Sequence, residues 1–431
     1  RGMLCDLIDS VGYMDAASQK RVWGLVDAFR KERATDEDKA ELREKVRVTV
    51  LSRRAARHLH PSNRRQLTRL ARKAYAALEP SDVMNRHAWL FLETTVEESA
   101  DEREDAELDF RGREARISAL RVAALREVIA ARGTAGVIEM ARRGNAAWVV
   151  GWLLARELTS LIDAPSFIVS AFRARPVSDS WSERSLIVGL LRAISSDEER
   201  TNLLKDVASE LSPSDFVQVL RMAPFRRSTW AMVDALDPGQ RHVYWAEVGP
   251  EWIHEANDEA SEAVERLLQA DRPRAAFSVV SYDPSMIEPR ALYRLLNEIA
   301  ATGRDEAQQY RLDRHSLEKA ITHIGHCSDL SLEEKARLEF SYLPVLSARW
   351  GGNERPGIPN LETFIERNPD LYIQAVVWAF RRNDAGVDPD EVRAPDDRIR
   401  ELAERGNDLI DAIRRLPGRD EHGNLTAEGL G

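Results

Sequence analysis

Cysteine is nearly absent. Two occur in 431 residues, Cys5 and Cys327, so no disulfide framework is implied and a reducing, cytoplasmic setting is expected. No stretch reaches the ~18 uninterrupted apolar residues that a membrane span requires. The richest run, Ala146–Leu154, contains Gly151 and gives way to Arg156–Glu157, as a buried helix would. A secretory leader is missing, and so are alternating apolar–polar runs long enough for strands. The phosphate-loop pattern G-x-x-x-x-G-K-[ST], the dinucleotide pattern G-x-G-x-x-G and the nucleophile elbow G-x-S-x-G are all absent. An ATPase engine, a dinucleotide site and a hydrolase elbow are therefore unsupported, and no cofactor is expected. Gly133-Thr134-Ala135-Gly136 is too short for a phosphate loop and reads as an interhelical turn.

What the sequence does contain is helix after helix. Apolar residues recur three and four apart from about Ala16 to Ile413, with Gly and Pro mostly between the periodic blocks. Hydrophobic content of 43% is ample for a core, and 31% charge suits solvated helix faces. The length exceeds the usual single-core limit, so several domains or an elongated repeat array is expected. A formal net charge of −10 argues against a general nucleic-acid coat without excluding a local basic patch.

Three helices are predicted at the start, Ala16–Lys31, Asp36–His58 and Ser62–Leu78. His60-Pro61-Ser62 makes the break between the last two, because Pro61 disfavours helix at His60 and Ser62 can cap the third helix. Asp82–Ser99 and a long Asp101–Ala131 helix come next, the latter stopped by Arg132-Gly133-Thr134. From Gly144 the helices shorten, with starts near Asn145, Pro165, Ser180, Asp197, Pro213, Ser228 and Asp237. Helix pairs of roughly 25–40 residues overlap the HEAT and tetratricopeptide scale without a strict consensus. Later candidates run from Asp258–Ala270 through Arg274–Ser281, Ser285–Thr302, His315–His326, Ser331–Ser347 and Leu361–Arg367 to Pro369–Arg382, Asp390–Arg405 and Asn407–Leu416. The expected fold is all-α: a degenerate helical-repeat array, an α-solenoid, behind a small N-terminal bundle. Its parts would be a basic bundle at 1–80, an acidic segment and connecting helix at 81–143, the array at 144–348, and a Gly/Pro-rich loop with C-terminal helices at 349–431. Both ends read as cut. Arg1-Gly2-Met3 looks like a tag remnant and Thr426 like a cap whose helix never arrives, so a piece of a longer protein is expected.

Four constellations invite a functional reading. Between Arg43 and Lys73, eleven basic residues stand against Glu44 alone, with Arg53/Arg57 and Arg65/Arg69 each one helical turn apart. Guanidinium groups so spaced suit phosphate, which makes these four candidate nucleic-acid contacts. The alternative is that the Glu93–Asp109 acidic block neutralises them within the fold. His315, His323, His326 and Cys327 cluster in one helical block, and His323/Cys327 have an i,i+4 metal-ligand spacing, but no fourth ligand is convincing and no metal is expected. His254-Glu255-Ala256-Asn257-Asp258 resembles a zinc-protease helix with Asp258 in place of the second histidine. Trp230, Tyr244, Trp245 and Trp252 lie close in sequence among arginines, as partner anchors or as core wedges between helices. The irregular stretch Arg349–Pro359 offers Trp350 as a further partner-binding candidate.

The strings Arg226-Arg227-Ser228-Thr229-Trp230 with Tyr244-Trp245, Gly357-Ile358-Pro359-Asn360-Leu361-Glu362, Asp388-Pro389 and Asp420-Glu421-His422-Gly423-Asn424 resemble the C-terminal helical region of large multidomain bacterial proteins of phage-defence type. That resemblance implies a helical sensor region behind an N-terminal effector or NTPase module, and it carries over no site residues. The sequence thus leads to a non-catalytic binding or sensing module with a protein partner. The alternative is a nucleic-acid-binding helical protein using the 43–73 face.

Overall fold

A computed structural model describes residues 1–52, 61–96, 110–174, 181–254, 256–302, 309–347 and 358–367. Among these the chain is all-helical, with 19 α-helices and no strand. It divides into two compact units, Arg1–Pro224 and Phe225–Gly431.

The first unit opens with α1 (Gly2–Ser10), α2 (Ala16–Glu32), α3 (Asp36–Val46) and α4 (Pro61–Ala77). They share one core of Ile8, Val11, Val22, Trp23, Val26, Leu42, Val46, Leu67 and Ala71. Local chemistry sets the starts. Asp15 accepts from the amides of Ala17 and Ser18 at the head of α2, and Thr35 with Asp38 closes a capping box on α3. The helix expected over Asp36–His58 narrows to Asp36–Val46, followed by a π-helical turn, Arg47–Leu51; residues 53–58 lie outside the described residues.

Asp36 ties α3 to the loop beyond α4. Its carboxylate accepts from the Ser81 hydroxyl at 2.7 Å, the Asp82 amide at 2.6 Å and Lys39 Nζ at 3.0 Å. Those bonds, Ser81 first and then Asp82 with Lys39 behind them, lower its pKa to about 2. A depressed carboxylate pKa stabilises the fold above the unfolded value, ~3.9, and that contribution disappears as pH falls toward 2. Comparing thermal unfolding of the wild type with Asp36→Asn across pH 2–6 should therefore show a gap at pH 6 that closes near pH 2. A gap that stays constant would mean that Asp36 contributes nothing through its charge.

The helix expected over Asp82–Ser99 is instead short. α5 (Val83–His87) gives way to a 3-10 turn, Ala88–Leu90, and then to irregular chain. The reason is tertiary. Arg121, almost fully buried on α6, donates to the carbonyls of Leu90, Glu93 and Thr94, each at 2.9 Å. Carbonyls satisfied by a guanidinium need no helical partner. Helix α6 (Phe110–Arg142) contains the break that Gly133 predicts: at φ 63° and ψ −158° it divides the helix into 110–132 and 134–142.

Helices α7 (Ala147–Glu157), α8 (Ala164–Arg173), α9 (Trp181–Ala193), α10 (Asp197–Glu210) and α11 (Pro213–Leu220) complete the unit. Their starts fall within two residues of the sequence-predicted ones, and three of them carry a local cap. Asp163, Ser196 and Ser212 accept from the amides of Ser166, Glu199 and Asp215. Helices α7 and α9 approach one another closely. A Cβ on Gly151 would lie 1.9 Å from the Leu186 carbonyl oxygen, and one on Gly189 would lie 2.1 Å from that of Trp148. The two backbones touch at this crossing because neither glycine has a side chain.

The second unit contains α12 (Arg227–Asp234), α13 (Pro238–Glu247), α14 (Asn257–Gln269), α15 (Pro273–Val280), α16 (Pro289–Thr302), α17 (Arg314–Gly325), α18 (Leu332–Ser347) and α19 (Pro359–Arg367). Each packs on its neighbour in sequence from α13 to α19, and α16 also reaches α18. The α18–α19 junction is closed by a buried acid. Glu339 accepts from the Leu361 amide at 2.6 Å and from Asn360 Nδ2 at 2.6 Å, capping α19 from outside; burial raises its pKa despite these bonds. Among the described residues, no helix is long and apolar enough to cross a membrane.

Candidate functional site

Trp230, Tyr244 and Trp245 do not form a surface. Trp230 and Tyr244 are completely buried and Trp245 is 8% exposed. Phe225 and Trp230 meet edge-on with centroids 4.9 Å apart, Tyr244 and Trp245 at 5.2 Å, and Trp230 and Trp245 at 5.9 Å. Arg266 covers the outer face of the cluster, 5.4 Å from the Trp245 ring, held there by bidentate pairing with Asp234. Of the two roles that the sequence left open for these rings, the structure places them as core wedges between α12, α13 and α14. Trp350 lies outside the described residues.

The basic face is partly taken up inside the fold. Arg43 lies 4.4 Å over the Tyr75 ring and pairs with Glu79, Lys45 pairs with Asp9 at 2.7 Å, and buried Arg47 pairs with Glu44 at 2.7 Å while resting on Trp89. These partners are not the acidic block expected for the role; Glu93, its one member among the described residues, accepts from Asn145 instead. Arg53 and Arg57 lie outside the described residues. Arg65 sits on α4 with its side chain undescribed, and Arg69, one turn on, is exposed.

Trp252 has the opposite fate to its sequence neighbours. Beyond α13 the chain leaves the helix, and Ile253, fully buried, anchors it with its amide donating to the Val279 carbonyl at 3.2 Å. With Ile253 turned in, Trp252 and His254 turn out together, centroids 5.0 Å apart. Tyr282, at the turn after α15, packs on Trp252 at 4.4 Å. Trp252 is 40% exposed and Tyr282 65%. The Tyr282 turn is fixed by Asp283, which accepts from the Ser285 amide and hydroxyl, and by buried Pro284 and Met286.

Helix α17 supplies the facing wall. Leu317, Ala320, Ile321 and Ile324 fill its buried face, so 3.6-residue periodicity leaves His315, Lys319 and Thr322 along the outer one, with exposed His326 at the C-cap. Its N-terminus is capped by Asp313, which accepts from the Ser316 amide at 2.9 Å. Burial raises the Asp313 pKa, but the Ser316 bonds and the nearby His315 outweigh it and the net shift is downward. Lys319 lies 5.2 Å over the Tyr282 ring and donates to the Tyr282 carbonyl at 3.2 Å, while His323 Nε2 meets the Ile287 carbonyl at 3.1 Å. Together Trp252, Tyr282, Asp283, Ser285 and the outer face of α17 line an open groove of ≈ 770 Å³.

Neither histidine constellation keeps the helix register that its sequence spacing suggests. Helix α17 ends at Gly325, so Cys327 lies in the following turn and the i,i+4 register with His323 is broken. Helix α14 starts at Asn257, so His254 precedes it and shares no helix face with Asp258. Among the described residues, no group of three or more His, Cys, Asp or Glu is placed to hold a metal ion. Sequence reasoning did not single out Tyr282 or Lys319. The only signal for Tyr282 was an aromatic immediately before Asp283-Pro284, a turn dipeptide that leaves a large ring outside the helices. No family model matches the chain, and neither a curated protein nor a solved structure is significantly similar to it.

Proposed function

We propose that this chain is a non-catalytic, degenerate helical-repeat binding module, and that its second unit recognises a protein partner through the Trp252–Tyr282 groove. The observation that carries this reading is the aromatic pair, two large rings in contact with each other and left open to solvent beside a concave surface. Exposed aromatics at a concavity are characteristic of binding anchors, since they bury much area for little lost side-chain freedom. Packing of each helix on the next from α13 to α19 is what a repeat array needs, and such arrays offer binding surface rather than an enclosed site. The groove holds histidines and a lysine but no nucleophile oriented by a base and a third group, as covalent chemistry would require. A sensor region within a larger bacterial protein of phage-defence type is the setting that the resemblance implies.

The test is quantitative affinity capture from the native cells with the wild type and a Trp252→Ala/Tyr282→Ala variant. At least one protein should be recovered by the wild type and depleted with the variant, with unchanged circular dichroism and Tm. Identical recovery profiles would reject the groove as the binding surface.

A further inference from the structure

The basic face of the first unit is the constellation that the groove leaves unused. Residues 1–80 hold eighteen Lys and Arg against eleven Asp and Glu, a net charge of +7 within a chain of −10, so the remainder carries −17. That asymmetry is sharpest on α4, whose seventeen residues include Arg64, Arg65, Arg69, Arg72 and Lys73 and no acid. Arg69 and Lys73 stand one turn apart with Arg72 between them, and all three are exposed. Helix α2, packed on α4, adds exposed Lys20 and Arg21. Among the described residues, no carboxylate pairs with Arg69, Lys73, Lys20 or Arg21.

Most acids on the neighbouring elements are committed elsewhere. Glu79, past the end of α4, pairs with Arg43 and Arg86, and Asp27 on α2 pairs with Arg30 and Lys31. On α3, Asp36 is held by Ser81, Asp82 and Lys39, Asp38 by Thr35, Glu41 by Arg1 and Glu44 by Arg47. Glu32 and Glu37 remain, in the last turn of α2 and the first turn of α3; Glu32 is roughly 16 Å of helix rise from Arg21. Like charges one turn apart destabilise a helix, and a bound anion would relieve that repulsion on α4.

We propose that the outer face of α4, with Lys20 and Arg21 of α2, binds the sugar–phosphate backbone of a nucleic-acid duplex without reading its bases. Guanidinium forks and an ammonium on one helix face suit a row of phosphates. Single strands are held by cations together with stacking aromatics, and a lipid surface takes up large apolar side chains. Beside its cations α4 offers neither, since its other described exposed residues are Gln66, Ala76 and Ala77.

Fluorescence anisotropy of the full chain with a labelled mixed-sequence duplex, about twenty base pairs long, tests this from about 50 to 200 mM salt. Affinity should fall with salt along a log–log slope of about −3 to −4, at about −0.9 per phosphate met. Arg69→Glu/Lys73→Glu should weaken binding roughly tenfold or more and flatten the slope by about 2, while Arg69→Gln/Lys73→Gln loses less. Both variants should keep the wild-type Tm, because these side chains are exposed. Trp252→Ala/Tyr282→Ala should leave duplex binding intact, so the proposal and the groove's docking role stand separately. No binding at about 50 mM salt, or binding indifferent to the reversal, overturns the proposal. So does a reversal that lowers Tm, since a carboxylate of the chain itself would then hold these cations. Tighter binding of the single strand than of the duplex, or capture by phosphatidylserine vesicles without duplex binding, overturns it in favour of that other polyanion.

Discussion

Alanine at Gly151 will open the first unit. The new methyl would sit 1.9 Å from the Leu186 carbonyl oxygen and 2.8 Å from the Leu190 amide nitrogen, and both are backbone atoms of a facing helix. No rotamer change relieves such a contact, so α7 and α9 must move apart and the apolar side chains packed around the crossing lose their fit. Overpacking of this kind costs about 3 kcal/mol or more. Gly189→Ala should do the same from the other side, because its methyl meets the Trp148 carbonyl at 2.1 Å. Since either methyl already forces the helices apart, the double variant should cost less than the two single costs added together. Gly24→Ala is the control. It lies exposed in the middle of α2 with nothing within 4 Å of the new atom, and should stabilise by about 1 kcal/mol through helix propensity alone. Urea unfolding monitored by circular dichroism reads all four. A wild-type midpoint for Gly151→Ala would show that the two helices do not cross in contact.

Trp230→Ala is expected to cost roughly 3–5 kcal/mol, the range for removing a fully buried large aromatic. Its ring is enclosed by Phe225 and Trp245, and among the described residues its buried indole N–H has no hydrogen-bond partner. Trp230→Phe should therefore lose much less than alanine, because it keeps most of the ring and removes an unsatisfied donor. Trp252→Ala, measured alongside, should change stability by no more than about 1 kcal/mol, since its ring faces solvent. This contrast separates the two functional assignments possible for the tryptophans. If Trp230→Ala were tolerated and Trp252→Ala were the destabilising change, the core and the binding surface would have to exchange places.

The helices were legible in the sequence because what makes them is local. Ser212-Pro213-Ser214-Asp215 and Asp237-Pro238-Gly239 carry their caps within three residues, and the structure starts α11 and α13 where those caps stand. The Gly133 break follows equally from one residue, for only glycine enters φ 63° without strain. Periodicity likewise told which residues of α17 share a face. It could not tell which face another element covers, and that decides function here. Trp230, Trp245 and Trp252 fall within twenty-three residues of one another, yet two are core and one is surface, because α14 closes over the first two while Ile253 takes the inward place beside the third. The groove was illegible for the same reason. Trp252, Tyr282 and Lys319 are separated by long stretches of chain, and only the packing of α17 on the Pro284–Met286 turn, together with the Ile253–Val279 bond, brings them within about one ring's width. Short-range chemistry thus fixed where the locally capped helices begin, whereas the early end of α5, the burial of side chains and the meeting of distant ones depend on tertiary packing, which no local spacing encodes.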